Sequence, residues 1–281
     1  MIYLQGKFCP FEILGKNYTE IEHDYKELLI PSSEDGSYLL DKNALHIWPR
    51  GRFMLIALPN EDGSFTCTLF MPYDGDKNAF NELKTDEQID NFFKTVFPDF
   101  HGMMPNLIEN WHENPLSSLA IVRCYPWTAG KFALMGDSAH ATVPFYGQGM
   151  NGGFEDCTVL WDLFNKHNGN WENTFKEYEI QRKPDGDALQ DLSLDNYYVM
   201  RDYVADPDFL LQKKIEAKIA ERHPEKWMPL YSQVTFSHIR YSDAYKQGKK
   251  QDKIMKEVLK TPRIEEIWDS EEIESEILSK L

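Results

Sequence analysis

The chain has 281 residues, enough for one large domain or two ordinary ones, and with 42% hydrophobic and 14% aromatic residues it can bury a sizeable core. That composition excludes general disorder, and a formal net charge of −16 argues against nucleic acid or an anionic membrane surface as partner. The start, MIYLQGKFCPFEIL, lacks the features of a secretory leader, and no run reaches the roughly 18 apolar residues of a membrane span, so the cytoplasm is the expected location. Cys9, Cys67, Cys124 and Cys157 show no C-x-x-C spacing and are expected as buried free thiols. The histidines are scattered without ligand spacing, so no metal site is expected.

Residues 20–75 alternate in strand fashion over 25–30, 46–48, 53–58 and 64–71, with a turn at Asn60-Glu61-Asp62-Gly63, which predicts an antiparallel sheet. Thr85-Asp86-Glu87-Gln88 is a capping box, and Phe92, Phe93 and Val96 follow at helical spacing. A helix over 85–99, stopped by Pro98, is predicted. Short strands are read at 123–125 and 131–135. Helices follow at 151–165, 171–183, 185–204, 207–222 and 240–259, interrupted by Trp227-Met228-Pro229-Leu230-Tyr231-Ser232. The closing stretch, 265–280, reads as an acidic amphipathic helix or a solvated tail, with the tail preferred.

Residues 134–153, LMGDSAHATVPFYGQGMNGG, carry the strongest local signal. An apolar strand end runs into Gly136-Asp137, and Gly147, Gly149, Gly152 and Gly153 then open a helix. Glycines let backbone N–H groups approach a ligand, and a helix start offers unpaired donors with partial positive charge. Asp137 either caps the next turn or holds sugar-like hydroxyls beside this cradle. The combination suits a cofactor with a polyol arm and an electron-rich end. Gly147-x-Gly149-x-x-Gly152 also satisfies the dinucleotide fingerprint, which requires a strand directly before it and an acidic residue about 20 positions later. Here Val143-Pro144-Phe145-Tyr146 precedes it, and Pro144 argues against a central strand. A Rossmann reading of these glycines is therefore weak. Ser138 and His140 do not form a G-x-S-x-G elbow, so His140 is expected as a packed or hydrogen-bonded residue rather than a catalyst.

Gly136-Asp137-Ser138-Ala139-His140-Ala141, then Pro144-Phe145-Tyr146-Gly147-Gln148-Gly149-Met150-Asn151, then Gly153-Phe154-Glu155-Asp156-Cys157 resemble the second flavin-binding motif of the FAD-dependent aromatic hydroxylase family, and within it the branch that hydroxylates kynurenine. Further similarity lies in Leu45-His46-Ile47-Trp48-Pro49-Arg50, Ile56-Ala57-Leu58-Pro59-Asn60, Phe65-Thr66-Cys67-Thr68-Leu69-Phe70-Met71-Pro72 and Val234-Thr235-Phe236-Ser237, over roughly residues 17–245. The resemblance implies an α+β fold with a substrate-domain sheet and one helix at 1–120. A second FAD-binding segment at 121–165, a helical substrate-pocket region at 166–245 and a charged tail at 246–281 would follow. It implies FAD as cofactor, NADPH as co-substrate, and O2 and L-kynurenine as substrates, the product being 3-hydroxykynurenine of tryptophan catabolism. Another aromatic substrate, or a non-catalytic remnant, are the alternatives.

By the same resemblance Gly136 and Asp137 contact the ribityl or ribose hydroxyls, and Pro144, Gly147, Gly149, Met150 and Asn151 border the flavin. Backbone donors at Gly149, Met150 and Asn151 would face its pyrimidine edge. Phe145 and Tyr146 would lie over the flavin face beside the substrate, with loop packing as the alternative. Ile56, Leu58 and Phe70 would wall an apolar slot for a flat aromatic amine. Spacing alone reads them as sheet core, with Ile56 and Leu58 on one face. Asn196, with Met200 one helical turn later, and Tyr231 would hold the substrate's amino-acid moiety or else make structural hydrogen bonds. The family also carries a strand–glycine loop–helix unit for the ADP half of FAD, and an Arg and a Tyr that clamp the substrate carboxylate. No such unit precedes residue 134, so the expected fold is a partial one without the Rossmann βαβ unit. By itself the chain is expected to hold FAD weakly or not at all and to show little activity.

Overall fold

A computed structural model describes residues 17–75 and 77–281; Cys9 and the rest of the first sixteen residues lie outside the described ones. The chain forms two compact units, one of residues 20–120 with 198–204, the other including residues 121–197 and 205–281.

The first unit is built on strands β1 (Asn17–Ile30), β2 (His46–Pro49), β3 (Met54–Pro59) and β4 (Phe65–Pro72), joined by β5 (Leu116–Arg123) in the order β2-β3-β4-β1-β5. β1 with β4, β2 with β3 and β3 with β4 pair antiparallel, as alternation predicts. The turn at 60–63 closes with the Ser64 carbonyl accepting from the Asn60 amide at 2.8 Å. Gly63 is required there: its φ is +86°, and a Cβ would meet the Gly36 carbonyl oxygen at 2.5 Å.

Side-chain alternation gives the sheet two different faces. Leu28, Ile30, Leu55, Ala57, Phe65, Cys67, Leu69 and Met71 occupy one, packed on Phe92 and Phe93 of α1 (Asp86–Val96), Phe100 of α2 (Pro98–His101) and Trp111 of α3 (Leu107–Glu113). The capping box forms as read, Thr85 accepting from the Gln88 amide. Pro98 does more than end α1: it occupies the first turn of α2, where its missing N–H costs nothing. Cys67 is buried in this core, and desolvation pushes its thiol up to about 12. Cys124 is also buried, whereas Cys157 is exposed, contrary to expectation.

In the second unit the strand expected at 131–135 shrinks to β7 (Phe132–Ala133), paired with β6 (Thr128–Ala129). Then come α4 (Asp137–His140), α5 (Gly149–Lys166) and α6 (Trp171–Tyr198). α6 is one helix where two were expected, with Pro184 inside it. Tyr178, Arg182, Asp185, Gly186 and Leu189 bury one side of it across the proline, and that packing outweighs the lost backbone hydrogen bond. A Cβ on Gly186 would stand 2.7 Å from the Trp127 ring and 3.1 Å from His140, so only glycine lets α6 come this close. α6 runs on into a π-helical turn, Val199–Tyr203, which belongs to the sheet unit.

The closing stretch is not a solvated tail. Helices α7 (Pro207–Arg222), α8 (Leu230–Thr235), α9 (Tyr241–Val258), α10 (Ile264–Ile267) and α11 (Glu271–Lys280) complete the unit. Ile273 and Ile277 of α11 pack with Ile215, Ile219, Trp227, Ile254, Met255 and Val258 into one core. Acidic composition concealed two isoleucines one helical turn apart on the inner face. Among the described residues no helix is long and apolar enough to cross a membrane, and no cluster of metal-ligating side chains occurs. Ile277, fully buried, is expected to cost about 2–5 kcal/mol of stability when changed to Ala, read from urea unfolding. A cost below about 0.5 kcal/mol would place α11 outside the cooperative core.

Candidate functional site

The glycine-rich stretch folds around one buried carboxylate. Asp156, fully buried on the inner face of α5, accepts at Oδ2 from the Gly136 amide at 2.9 Å and faces His140 Nε2 at 2.7 Å. His140 is the donor, since an ionised carboxylate only accepts. At Oδ1 it accepts from Arg182 Nε at 2.7 Å. Arg182, itself buried, also donates to the Gly152 carbonyl at 3.2 Å and pairs with Glu155 at 2.9 Å and Asp185 at 3.2 Å. Asp185 takes Arg240 at 3.0 Å and the Ser242 hydroxyl at 2.7 Å. Burial pushes the Asp156 pKa up, but His140, the Gly136 amide and Arg182 outweigh it and hold the carboxyl below its ordinary range. Desolvation opposes the charge on Arg182 too, and its carboxylate partners, Asp156 first, leave its pKa raised.

This cluster fixes the turn before α4. Gly136 has φ +53° and ψ −139°, a conformation reserved for glycine, and a Cβ placed on it would lie 3.8 Å from Gly153 Cα. Asp137 follows, exposed, and among the described residues its carboxylate has no hydrogen-bond or ion-pair partner. His140 is therefore a buried structural hydrogen-bonding residue, as read from sequence.

The start of α5 is open in a second sense. Its first inward hydrogen bond runs from the Gly152 amide to the Gln148 carbonyl at 2.8 Å, and no side chain caps the amides before it. Gln148 is buried, with Oε1 accepting from Asn151 Nδ2 at 2.9 Å and facing the Tyr241 hydroxyl at 3.4 Å. Pro144, Gly147, Met150 and Asn151 are exposed, and Gly149 is half-buried. The residues before Gly147 form a 3-10 turn, Pro144–Tyr146, and α5 is followed by α6, so these glycines lack the strands of a dinucleotide fingerprint.

Within that turn Phe145 packs on Tyr197 with ring centroids 4.7 Å apart, and its carbonyl accepts from Asn196 Nδ2 at 2.8 Å. Tyr146 is buried and stacks on Tyr231 at 5.7 Å, whose ring is half exposed. Desolvation first, and Tyr231 second, raise the Tyr146 pKa well above the phenolic range, so its hydroxyl stays protonated. Asn196 thus ties α6 to this turn through its amide nitrogen.

In the sheet unit Ile56 pairs with Thr68 across β3 and β4, and Met54 with Phe70. Ile56, Leu58 and Phe70 therefore share the face opposite the aromatic core, so they are not part of that core. Leu58 is 46% exposed, while Ile56 and Phe70 are buried. Met200 is buried in the π-helical turn, which packs beside β2. Sequence reasoning missed Asp156, Arg182, Gln148 and Tyr197. The available signal was Asp156 at the helical phase of Gly152 and Leu163, a charge on a buried face.

The sheet with helices on one face and the helical second unit together make an FAD-dependent hydroxylase-like fold. The chain belongs to the FAD binding domain family, which matches residues 44–193. It is 52% identical over 266 residues to a kynurenine 3-monooxygenase of Christiangramia forsetii, covering 94% of this chain and 59% of that protein. It is 44% identical over 270 residues to a kynurenine 3-monooxygenase of Dictyostelium discoideum, covering 92% and 58%. The similarity thus extends past residue 245, the limit read from motifs. The chain spans about three-fifths of the length of these curated relatives. Two solved structures share the fold. A 2-methyl-3-hydroxypyridine-5-carboxylic acid oxygenase matches with TM-score 0.54 at 18% identity, over 69% of this chain and 52% of its own. The 2,6-dihydroxypyridine-3-hydroxylase of Arthrobacter nicotinovorans matches with TM-score 0.52 at 15% identity, over 69% and 56%.

The depressed pKa of Asp156 carries a sign. Its contribution to stability is fully present above the ordinary carboxylate value of 3.8 and is lost as pH falls through the lower folded value. Unfolding midpoints measured from pH 6 downward are expected to drop less steeply below about pH 4 in Asp156→Asn than in the unaltered chain. Parallel profiles would show that Asp156 is not held ionised by the fold.

Proposed function

We propose that this chain supplies the flavin-ring end of an FAD site and the substrate-contacting residues of an aromatic monooxygenase acting on L-kynurenine. The observation that carries the reading is the pairing of an uncapped α5 start with the unengaged Asp137 carboxylate, both set by one buried cluster. Those features fit FAD. Asp137 would accept from ribityl or ribose hydroxyls, and the amides of Gly149, Met150 and Asn151 would donate to the pyrimidine edge of the ring. When bound, FAD supplies the activation of O2, with NADPH as the reductant.

The protein's own tasks follow from its residues. The positive end of α5 favours negative charge on the ring it faces. Pro144, Phe145 and Tyr146 form a rigid turn beside that position; Asn196 on the Phe145 carbonyl and Tyr231 against Tyr146 hold it in place. Neutral Tyr146 offers a hydroxyl without introducing a charge. Ile56, Leu58, Phe70 and Met200 are proposed to contact the aromatic ring of the substrate. Tyr231, with its exposed ring, and Asn196, with its amide oxygen, are proposed to contact the amino-acid moiety. Excluding water and aligning the ring are what such contacts achieve.

Asp137→Ala is expected to weaken FAD binding by about tenfold or more, as loss of charge-assisted hydrogen bonds would, with the unfolding midpoint nearly unchanged because Asp137 is exposed. Calorimetric titration of the chain with FAD measures it. Equal affinity in the two proteins would remove Asp137 from the site. Substrate identity is read from NADPH oxidation in a chimera that joins this chain to the part of the Christiangramia forsetii relative left uncovered by the match. Oxidation that depends on L-kynurenine supports the reading, and oxidation with other aromatics only would reassign the substrate.

A further inference from the structure

The cluster around Asp156 spans more of the chain than a helix contact requires. One carboxylate oxygen serves both the Gly136 amide and His140; the other serves Arg182, whose guanidinium also reaches the Gly152 carbonyl. Gly136 lies in the turn before Asp137, and Asp156 and Gly152 lie in the first turns of α5, the two backbone segments that the FAD reading brings to the cofactor; His140 of α4 and Arg182 of α6 complete the tie. We propose that Asp156 is the positioning residue of the flavin cradle, fixing the Gly136–Asp137 turn against the start of α5; the inference rests on the FAD reading for what the cradle holds.

The chemistry supports a positioning task over simple packing. Gly136 adopts a backbone conformation with little intrinsic preference, and glycine has the most conformational freedom to lose on folding. A single amide–carboxylate bond restrains it, because the Gly136 carbonyl already accepts from the Ala139 and His140 amides at 2.8 and 2.9 Å inside α4. Released from Asp156, the turn would keep its internal bonds and lose its tie to α5. Asp185 lies in the same ion cluster but touches Arg182, Arg240 and Ser242, none of which belongs to the turn. It provides the control.

Two readouts separate the possibilities. Amide hydrogen exchange at Gly136, measured without flavin, is expected to accelerate about tenfold or more in Asp156→Asn, the equivalent of one lost hydrogen bond to a charged group. FAD affinity should fall by a similar factor. Asp185→Asn should lower the unfolding midpoint while leaving both quantities unchanged. Unaltered Gly136 exchange in Asp156→Asn, or equal loss of FAD affinity in the two variants, overturns the proposal. If Asp156→Asn does not fold, Arg182→Lys replaces it. That variant keeps a cation beside Asp156 but gives up the fork that reaches Gly152, and it should shift both readouts in the same direction by less; no shift in either overturns the proposal. Failure of the unaltered chain to bind FAD would instead sink the FAD reading, and the flavin-free exchange result would still decide the role of Asp156.

Discussion

One buried carboxylate organises the glycine-rich part of this protein. Moving Asp156 out of water is costly, and the fold offsets that cost only by converging an amide, an imidazole and a guanidinium on its two oxygens. Two partners come from the Gly136–His140 stretch and the third, Arg182, from α6, so satisfying the charge fixes where those two stretches lie against α5. Removing a single partner would leave a buried charge under-solvated, which is far worse than never having buried it. Arg182 and Asp185 carry the same logic outward to Arg240 and Ser242 at the start of α9. Apolar packing by Trp127, Tyr178 and Leu163 surrounds the cluster and keeps water from competing.

The sheet unit obeys a simpler constraint. Period-two alternation divides its residues into a face covered by α1, α2 and α3 and a face that is not part of that core. An ordinary single-layer packing would leave the second face polar, and Thr66 and Thr68 follow that expectation. Met54, Ile56, Leu58 and Phe70 do not, since they form an apolar patch at the centre of a face with no helix from the aromatic core on it.

Much of this was legible in the sequence, and the failures share a cause. Strands β1 to β4, the Thr85 cap and the helix from 207 were readable because local alternation or capping chemistry decides them. The glycine run at 147–152 was correctly separated from a dinucleotide loop by one residue, Pro144. Misreadings arose where tertiary packing overrides a local rule. Pro184 should divide a helix, yet burial on both sides of it holds α6 together. Glu271 to Glu276 look solvated, yet Ile273 and Ile277 lie on one inward stripe. Asp156 and Arg182 are 26 residues apart, and nothing local indicates that two opposite charges share one buried site. Phe145 and Tyr231 were singled out by resemblance, while the contacts of Phe145 with Tyr197 and Asn196 and of Tyr231 with Tyr146 required the fold.

Helix starts in this chain are closed in different ways. α1, α7 and α11 begin at Thr85, Asp206 and Ser270, whose side chains accept from the first-turn amides. A cap of this kind contributes about 1 kcal/mol. α5 begins at Gln148, a residue with an acceptor oxygen, but that oxygen is turned inward to Asn151 and Tyr241. The starts of α2, α3, α4, α8, α9 and α10 also lack a side-chain cap, so what distinguishes α5 is its glycines and the exposed Asp137 carboxylate near by. In the proposed FAD site the acceptor for the α5 amides is the electron-rich edge of the ring, while the Gln148 oxygen is engaged by Asn151 and faces Tyr241.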